Sequence, residues 1–470
     1  MPNPFLPLTE YVPDGEPHVF GDRVYLYGSH DEANGTRFCA RDYTVWSAPV
    51  NDLSCWTCHG ITFRKEQDPR SKPGKPVDLY APDCVRGNDG RYYLYYFAAG
   101  PNTEPFGPMS VAVSDRPEGT FSYLGDIRYP DGKPVLNYLT NDPAVLNDNG
   151  RIWLYYGWGL GRDFRSKPLQ PLYRFVLSKL CNRSVHEIQE TKPSILSCAC
   201  VELEPDMLTV KGEPKAVLDS KTTARKGTPL YDHPFYEAAS IRKCGELYYL
   251  VYSSGENNEL AYATSRYPDR DFVYRGVIVS NSDLGYAGSR QPKNNAGTIH
   301  GGIECINGQF FVFYHRCTNN TDFSRQACAE AIEIAPDGMI GQVEITTQGM
   351  DRTPLSGIGV YPAALCCNLI TRKPIRLGLG KQQTLPRITE RDGETILADL
   401  TAGTRIVYKY LDLSRTKRIT ITMRGNAALM VNGTLLDTNG SAFLSGSDHE
   451  TLTIEVLSGK ADLIFFALEG

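Results

Sequence analysis

The feature that most constrains the fold of this 470-residue chain is a turn followed by an alternating aromatic and aliphatic run, which occurs five times. The copies are GDRVYLYGS (21–29), DGRYYLYYF (89–97), NGRIWLYYG (149–157), CGELYYLVYSS (244–254) and NGQFFVFYHR (307–316). Asn-Gly, Asp-Gly and similar pairs supply the positive φ of a tight turn, and aromatic and β-branched residues favour the strand that follows. Each copy therefore predicts a β-hairpin.

The spacing of the copies predicts how these hairpins assemble. Consecutive copies lie 68, 60, 96 and 62 residues apart when measured between the anchors Tyr25, Tyr93, Trp153, Tyr249 and Phe311. Each interval is long enough for a four-stranded sheet with its loops, and radial repetition of such sheets produces a propeller. We predict a five-bladed β-propeller over residues 1–348, with the aromatic runs as the second strands of the blades.

The repeat stops after about residue 345, and a different pattern follows. Segment 353–364 is rich in Gly and Pro, which predicts a linker. Short alternating strands are then predicted at 405–413, 418–425, 427–436 and 451–457. Strands of this length, separated by turns, suit a β-sandwich. The predicted fold class is all-β, with a five-bladed β-propeller followed by a C-terminal β-sandwich over 349–470.

Composition narrows the range of partners and compartments. The chain has 49 Lys and Arg against 54 Asp and Glu, a net charge of −5, which disfavours nucleic-acid binding. Residues 1–16 contain four prolines and no Lys or Arg, and no apolar run is long enough to span a bilayer. The 13 cysteines are odd in number and scattered, as in reduced proteins. We therefore expect a cytoplasmic protein without nucleic-acid or membrane partners; the sequence leaves its oligomeric state open.

A polar residue precedes every anchor by ten to twelve positions. These residues are Asp14, Asp83, Asp142, Glu237 and His300. Since the first strand of each propeller blade lines the central channel, we expect them to converge near one axis. Any single Asp at such a position is more often a turn former or a strand-end cap, but the shared offset favours a functional set. Carboxylates that meet in this way shift one another's pKa values apart.

Several carboxyl groups in one pocket suit hydrolysis of a glycosidic bond. That reaction needs a protonated acid at the leaving oxygen and, for inversion, a base placed roughly 6.5–9.5 Å away so that a water fits between. A third acid raises the pKa of the general acid toward the working pH.

Through several motifs that occur in order along the chain, roughly residues 1–345 resemble glycoside hydrolase family 43. The segments that carry the resemblance are YVPDGEPHVFGDRVYLYGSHD (11–31), DLSCWTCHG (52–60), LYAPDCV (79–85), NDPAVLNDNGRIWLYYG (141–157), FYEAASIRKCGELYYLVYSS (235–254), TIHGGIECINGQFFVFYHR (298–316) and FSRQACAE (323–330). The resemblance implies that Asp14 is the general base, Glu237 the general acid, and Asp142 the acid that modulates its pKa. It gives Asp83 no catalytic role, so we expect Asp83 to form structural hydrogen bonds near the axis.

The resemblance also implies further substrate and ion contacts. It places Arg325 on the bound pentose and His300 near the axis, where His300 binds substrate and is a candidate ligand of a structural calcium or sodium ion. No cofactor is required for the hydrolysis itself. Independently, Trp158 in the loop GWGLG (157–161) is expected at the pocket rim, in contact with sugar. The strands at 402–425 are loosely similar to carbohydrate-binding sandwiches.

The function expected from the sequence is that of an inverting exo-glycosidase. It would release terminal α-L-arabinofuranosyl or β-D-xylosyl groups from plant-derived oligosaccharides. Three alternatives stay open: a glycan-binding propeller without catalysis, a retaining five-bladed glycosidase, and a hydrolase of another furanoside such as galactofuranoside. The sequence does not decide between arabinofuranoside and xyloside, because loop lengths shape the pocket.

Overall fold

The computed structural model describes residues 2–161, 170–188, 194–255, 257–351, 353–377, 385–444 and 450–470. Within them, the first nineteen strands form five antiparallel sheets, four of four strands and one of three. The strands of these blades are, in order, β1 (Glu16–Phe20), β2 (Arg23–Tyr27), β3 (Tyr43–Pro49), β4 (Thr57–Phe63); β5 (Asp78–Arg86), β6 (Tyr92–Ala99), β7 (Ser110–Ser114), β8 (Ser122–Asp126); β9 (Ala144–Asp148), β10 (Arg151–Gly157), β11 (Ser197–Leu203), β12 (Lys215–Asp219); β13 (Phe235–Cys244), β14 (Leu247–Ser254), β15 (Glu259–Ser265), β16 (Val273–Ser280); β17 (Ile303–Ile306), β18 (Gln309–Cys317) and β19 (Arg325–Ile332). The five-bladed propeller is confirmed.

The aromatic runs of the repeat are the second strands of the blades, as predicted: β2, β6, β10, β14 and β18. All five anchor side chains are buried. They pack into five hydrophobic clusters, each of which joins two neighbouring blades. One of these clusters contains Val24 and Trp46 of the first blade with Phe311 and Phe313 of the last. The ring of blades is therefore closed by hydrophobic packing between its two ends.

The N-terminal segment covers the outer edge of the three-stranded fifth blade. The amide of Phe5 donates to the carbonyl of Ala327 at 3.3 Å. The side-chain oxygen of Asn3 accepts from the amide of Ala329 at 2.9 Å, and the amide of Asn3 donates to the carbonyl of Thr347 at 2.8 Å. These bonds satisfy backbone groups that an open sheet edge would leave exposed.

Among the described residues, two α-helices interrupt the strands of the propeller. Helix α1 (Gln170–Leu180) lies between β10 and β11, and helix α2 (Pro229–Asp232) lies between the third and fourth blades. Short 3-10 helices occur at Lys65–Gln67, Tyr286–Gly288 and Ala363–Leu365. In the part of the chain that the structure describes, no helix combines the length and apolar character needed to cross a membrane.

The C-terminal part is a second β-rich unit with its own hydrophobic core. Its strands are β20 (Leu355–Ser356), β21 (Gly359–Pro362), β22 (Asn368–Ile370), β23 (Arg387–Arg391), β24 (Glu394–Thr401), β25 (Arg405–Lys409), β26 (Leu411–Asp412), β27 (Arg418–Val431), β28 (Thr434–Leu435), β29 (Ser441–Phe443) and β30 (Thr451–Glu469). Nine of them join in one sheet through the long strands β27 and β30, which pair along almost their whole length. The predicted all-β C-terminal domain is therefore present, and its strands share a single core.

The linker predicted at 353–364 is wrong. Strand β20 pairs with β26, and β21 pairs with the end of β30, so most of this segment belongs to the C-terminal sheet. Its glycines and prolines are compatible with short edge strands, where backbone pairing on one side is enough. The domain boundary expected between 348 and 349 stays a prediction: Thr347 still accepts from Asn3, and Leu355 begins the first C-terminal strand.

The two parts of the chain make polar contacts with each other. The ammonium of Lys409, which is buried, donates to Asp283 at 2.9 Å, to Glu344 at 2.7 Å and to the carbonyl of Ile345 at 3.0 Å. The guanidinium of Arg316 on β18 donates to the carbonyls of Ala364 and Cys366. The C-terminal sheet is therefore anchored to the propeller through buried ion pairs.

Candidate active site

The register of the inner strands determines which residues meet at the propeller axis. The five anchor aromatics pair with His18, Val85, Leu146, Arg242 and Glu304 on the first strands of the blades. The residues four positions before these partners are Asp14, Ala81, Asp142, Ala238 and His300. Asp14, Asp142 and His300 thus occupy equivalent positions, whereas Glu237 lies one residue earlier and Asp83 two residues later. The offset along the sequence therefore predicts the depth of each polar residue in the channel to within two residues.

The backbone at this level adopts a left-handed conformation in four blades. The φ angles of Asp14, Ala81, Asp142 and Ala238 are 56°, 29°, 47° and 63°. Non-glycine residues adopt such angles at a cost, and they persist where surrounding structure and function require them. Two of these four residues are candidate catalytic acids, so the strained turn places their carboxyl groups at the mouth of the channel.

A single cavity of about 110 Å³ collects the predicted site residues. Asp14, Asp142 and Glu237 line it, together with Arg325 and His300. The rings of Phe38 and Tyr80 form aromatic walls, and Asn141, Thr298, Ile299 and His315 complete the lining. A cavity of this size suits one small sugar ring better than a chain.

Asp14 lies in a cationic environment. Its Oδ1 accepts from Nη1 of Arg325 at 2.8 Å, and it is 3.5 Å from Nδ1 of His315. Burial alone would raise the pKa of Asp14, but Arg325, His300 and His315 outweigh it and hold that pKa below its ordinary value. Burial and Arg325 in turn lower the pKa of His315 to about 3, so that imidazole is neutral. Asp14 is therefore ionised and can accept a proton.

Arg325 is held by a carboxylate that the sequence did not single out. Its Nε and Nη2 donate to the two oxygens of Asp31 at 2.8 and 3.1 Å, and its guanidinium lies 4.8 Å from the centre of the Phe38 ring. This two-point pairing fixes the plane of the guanidinium. Asp31 is the last residue of segment 11–31. An acidic residue shortly after a predicted strand is the sequence signal that could have identified it.

Asp142 is buried beside Ala238 and His300. Its Oδ2 accepts from the amide of Ala238 at 2.9 Å and lies 3.9 Å from Nδ1 of His300. Burial raises the pKa of Asp142 to about 7, His300 opposes the shift, and Glu237 and Asp14 add to it. The bond to Ala238 connects Asp142 directly to the residue after Glu237.

Glu237 has a raised pKa, which is the property that a general acid needs. Burial raises its pKa to about 7, while the hydrogen bond from Asn257 lowers it and the charge of Asp14 raises it. The Nδ2 of Asn257 donates to Oε1 of Glu237 at 3.0 Å, and Ser253 donates to Oδ1 of Asn257. Sequence reasoning missed Asn257, since nothing in the repeat marks the loop after β14.

His300 lies between the acids and a deeper polar layer of the channel. Its Nδ1 is 3.8 Å from Oδ1 of Asp14, and its Nε2 is 3.9 Å from Oε1 of Glu16. That Oε1 is buried without a hydrogen-bond partner among the described residues. An imidazole nitrogen and a carboxylate oxygen at this separation fit two ligands of one hydrated cation. The residues present are therefore compatible with an axial calcium or sodium ion.

The layer below His300 is already rich in charge. Glu16, His18 and Asp83 form a cluster whose ligand atoms lie within 4.8 Å of one another. The guanidinium of Arg242 enters this layer and donates to Oε2 of Glu16 at 3.1 Å and to the carbonyl of Pro17 at 2.5 Å. Burial raises the pKa of Glu16 to about 8, although Arg242 opposes the shift. Arg242 thus supplies a fixed positive charge to this layer.

Asp83 forms structural hydrogen bonds near the axis, as expected. Its Oδ1 is 2.6 Å from Nε2 of His18, and its Oδ2 accepts from the amide of Val145 at 2.7 Å. It does not line the cavity of the three acids, because its register is two residues deeper than that of Asp14.

Trp158 lies beside the acid but outside the cavity lining. Its ring centre is 6.0 Å from that of Tyr236 and 5.5 Å from that of Phe106. The expected sugar contact of Trp158 therefore stays a prediction, whereas its packing at the rim is part of the structure.

Comparisons with known proteins agree on one family. The family model described as "Glycosyl hydrolases family 43" matches residues 1–340. A protein named "Xylosidase/arabinosidase" from Thermoclostridium stercorarium is 40% identical over 439 residues, which cover 90% of this chain and 85% of that protein.

Solved structures show the same fold. A β-xylosidase/α-arabinofuranosidase of this family from a compost microbial metagenome, solved with xylotriose in a calcium-free form, is 27% identical with a TM-score of 0.54. The match covers 73% of this chain and 97% of that one. An arabinoxylan arabinofuranohydrolase of the family from Bacillus subtilis matches 100% of this chain and 94% of its own at 19% identity and a TM-score of 0.52. The second match shows only that the fold extends over both parts of the chain.

Proposed function

Because the chain belongs to family 43 of the glycosyl hydrolases and is a glycoside hydrolase, we propose that it removes terminal α-L-arabinofuranosyl or β-D-xylosyl groups from oligosaccharides with inversion of configuration. The observation that carries the proposal is the opposite pKa shift of two acids in one cavity. The pKa of Asp14 lies below its ordinary value, and that of Glu237 is raised to about 7. Such a divergence assigns the base and the acid.

Asp14 is the proposed general base. Its carboxylate is ionised and accepts from the guanidinium of Arg325, and Nδ1 of the neutral His315 accepts from the backbone amide of Asp14 at 3.3 Å. In an inverting reaction the base takes a proton from the attacking water, on the face of the sugar opposite the leaving group. The bond from Arg325 keeps Asp14 ionised between turnovers.

Glu237 is the proposed general acid, with Asp142 as its partner. A carboxyl group with a pKa of about 7 is largely protonated at neutral or slightly acidic pH and can give its proton to the leaving oxygen. Asp142 binds the amide of Ala238, next to Glu237, and the charge of Glu237 helps to raise the pKa of Asp142. Asp142 therefore orients the acid in this proposal.

The shape of the cavity supports an exo-acting enzyme. A volume of about 110 Å³ between Phe38, Tyr80 and the acids suits one terminal sugar, with the remaining chain outside. Arg325 is in the lining and binds the ring hydroxyls of that sugar in the proposal. The names of the relative from Thermoclostridium stercorarium and of the compost enzyme support a pentose as this sugar.

An axial cation would bind between His300 and Glu16. No cation is required for the hydrolysis itself in this proposal; a bound ion would add positive charge below the acids and favour ionised Asp14. The neighbour described as a calcium-free form supports calcium as the ion to test first.

We also propose that the enzyme works in the cytoplasm on short oligosaccharides of plant origin. All 13 cysteines are free thiols, which supports a reducing compartment. Localisation by fractionation of cells that express the tagged chain would test this, and recovery of the protein outside the cytoplasm would contradict it.

The central experiment follows the anomer that forms first. Nitrophenyl α-L-arabinofuranoside and β-D-xyloside are incubated with the enzyme, and proton NMR records the configuration of the released sugar. We expect an inverted product, and a loss of turnover of about 10³-fold or more in Asp14→Asn and Glu237→Gln with unchanged thermal unfolding. A retained anomer would favour the retaining alternative. Glycan binding by the unmodified chain without any turnover would favour the binding-protein alternative.

A further inference from the structure

A loop of the first blade, between β2 and β3, forms one wall of the sugar cavity. It spans residues 30–41, and the backbone amide of its last residue donates to the carbonyl of its first at 2.9 Å. We call it the wall loop. Phe38 of this loop lines the cavity, and Asp31 of the loop binds the guanidinium of Arg325, which lines the cavity as well.

The inner side of the wall loop packs against the groups that bind the sugar in the proposed function. The centre of the Phe38 ring lies 4.8 Å from the guanidinium of Arg325 and 4.7 Å from the ring centre of Phe323. The amide of Cys39 donates to Oδ1 of Asp31 at 2.9 Å, and the same oxygen accepts from Arg325. A displacement of the loop would therefore move both Phe38 and the carboxylate that holds the guanidinium.

The outer side of the wall loop is held by strand β23 of the C-terminal part. The Nδ2 of Asn34 donates to the carbonyl of Glu390 at 2.8 Å, and its Oδ1 accepts from the hydroxyl of Thr389 at 2.7 Å and from the amide of Glu390 at 3.3 Å. Strand β23 lies at the end of its sheet, next to β24. Asn34 thus satisfies the backbone of an edge strand that would otherwise lack a partner at this position.

A second propeller loop, between β18 and β19, meets the same strand. The amide of Asn319 donates to the backbone of β23 at 2.6 Å, and its Oδ1 lies 3.1 Å from the hydroxyl of Thr389, which is buried. The amide of Asn34 donates to Oγ of Ser324, the residue before Arg325, at 3.2 Å. Strand β23 therefore contacts the two loops that carry Phe38 and the sugar-binding guanidinium.

We propose that Asn34 and Thr389 are positioning residues for the sugar pocket, and that the C-terminal part is thereby needed to form the binding site of the terminal sugar. Strand β23 holds the wall loop, and the loop holds Phe38 against the sugar and Asp31 against Arg325. Neither Asn34 nor Thr389 is in the cavity lining that the structure describes, so both act through the loop. This inference rests on the proposed function and extends it to how the pocket is built.

The backbone of Asn34 determines which substitution is informative. Its φ is 54°, in the left-handed region, where glycine is unstrained and most other residues are not. Asn34→Gly therefore removes the side-chain bonds to β23 without disturbing the turn. Thr389→Val removes the hydroxyl of the other partner and keeps the shape of its side chain, and Thr389→Ser keeps the hydroxyl.

The first measurement is the kinetics of these variants on a nitrophenyl pentoside that the unmodified enzyme cleaves. Phe38 and Arg325 bind the sugar in the ground state and in the transition state alike, so their displacement raises KM more than it lowers kcat. We expect KM to rise about fivefold in Asn34→Gly and about threefold in Thr389→Val, with kcat within about twofold. Thr389→Ser should keep KM near its original value. The double variant should raise KM no more than Asn34→Gly alone, because both changes remove the same contact.

The second measurement does not depend on activity. Cys39 is a free thiol that is fully buried in the wall loop. Its alkylation by iodoacetamide, followed by peptide mass spectrometry, reports opening of the loop. We expect this alkylation to be about tenfold faster in Asn34→Gly, whereas the exposed thiols Cys55 and Cys58 react as before.

Thr347→Val is the matched control. Thr347 is also a buried threonine, and its hydroxyl joins the two parts elsewhere by accepting from the amide of Lys409 at 3.2 Å. We expect KM and Cys39 alkylation to stay unchanged in this variant. Equal rises of KM in Thr347→Val and Thr389→Val, or an unchanged KM or unchanged Cys39 alkylation in Asn34→Gly, would overturn the inference. Absence of turnover of every pentoside by the unmodified chain would instead overturn the proposed function, whereas faster Cys39 alkylation in Asn34→Gly would still show that β23 holds the wall loop.

Discussion

At the scale of single residues, the pH dependence of the site follows from the opposite shifts of Asp14 and Glu237. The pKa of Asp14 lies below its ordinary value, so the base is ionised above about pH 4. The pKa values of Asp142 and Glu237 are both raised to about 7, chiefly by burial. Because these two carboxyls interact, the proton they lose near neutrality belongs to the pair.

The first prediction is therefore a plateau of kcat/KM from about pH 4 to 7. Above pH 7 the acid loses its proton, and kcat/KM should fall about tenfold per pH unit. The profile is measured on a nitrophenyl pentoside, with enzyme stability checked at each pH. A rate that rises through pH 7 would contradict the assignment of Glu237 as the acid.

The second prediction concerns Asn257, a positioning residue for Glu237. Its hydrogen bond favours the ionised carboxylate and lowers the pKa of Glu237. In Asn257→Ala the loss of this bond should move the alkaline limb of kcat/KM up by about 0.5–1 pH unit, since one pKa unit corresponds to about 1.4 kcal/mol. We expect kcat to fall several-fold as well, because the acid loses its orientation.

The control for Asn257 is its neighbour Asn258. The backbone carbonyl of Asn258 accepts from Ser280 and Asn281, whereas among the described residues it is Asn257 that bonds Glu237. Asn258→Ala should leave the alkaline limb in place. If the limb stays fixed in Asn257→Ala, Asn257 has only a structural role.

At the scale of elements, the first strands of the blades determine the depth of each polar residue. In four blades a residue with positive φ lies just before the inner strand or within it, and the residues that follow alternate between the channel and the blade interior. Asp14 and Asp142 lie at the level of the cavity, and Glu16 and Asp83 lie one pleat deeper. A count along the sequence does not separate the two levels, because bulges shift the register of β5 and β13.

The third prediction concerns the charged layer around Glu16, which lies below the cavity. Arg242 on β13 is buried and connects Glu16 of β1 with Glu304 of β17, so it joins three blades. Arg242→Met leaves buried carboxyls without their cation and should lower the free energy of unfolding by about 3–5 kcal/mol. Urea unfolding at pH 7 measures this change.

A double variant and a surface variant support the interpretation of Arg242. Burial disfavours the ionised form of Glu16 and raises its pKa, while Arg242 opposes this shift; Gln carries no charge and so needs no cation. Adding Glu16→Gln to Arg242→Met should recover part of the loss. Lys243→Met, next to it, removes a half-exposed pair with Asp148 and should cost about 1 kcal/mol or less. Equal losses in the Arg242 and Lys243 variants would contradict the role of Arg242.

At the scale of the whole molecule, the C-terminal part is joined to the propeller through Asp283. The carboxylate of Asp283 is fully buried. It lies 2.9 Å from the ammonium of Lys409 and 3.5 Å from that of Lys293, and it accepts from the side-chain amide of Asn368 at 3.2 Å. Lys409 and Asn368 belong to the C-terminal sheet, whereas Asp283 and Lys293 belong to the propeller.

The fourth prediction is that Lys409→Met weakens this contact. The variant leaves Asp283 buried with less compensation, which should lower the free energy of unfolding by about 3 kcal/mol. Lys417→Met, an exposed lysine of the C-terminal part, is the control. Calorimetry of both variants is the measurement, and identical losses of stability would contradict the prediction.

The sequence by itself determined the all-β class, the number of blades and the acids at the axis. These follow from local signals: turn pairs, strand alternation and a shared offset act over a few tens of residues. The tertiary structure decided what surrounds the acids. Arg325 meets Asp31 and Asp14 across 294 and 311 residues. The strands within the expected linker likewise exist only because β30 pairs with β21. Such contacts depend on how distant segments pack, and no periodicity in the chain encodes them.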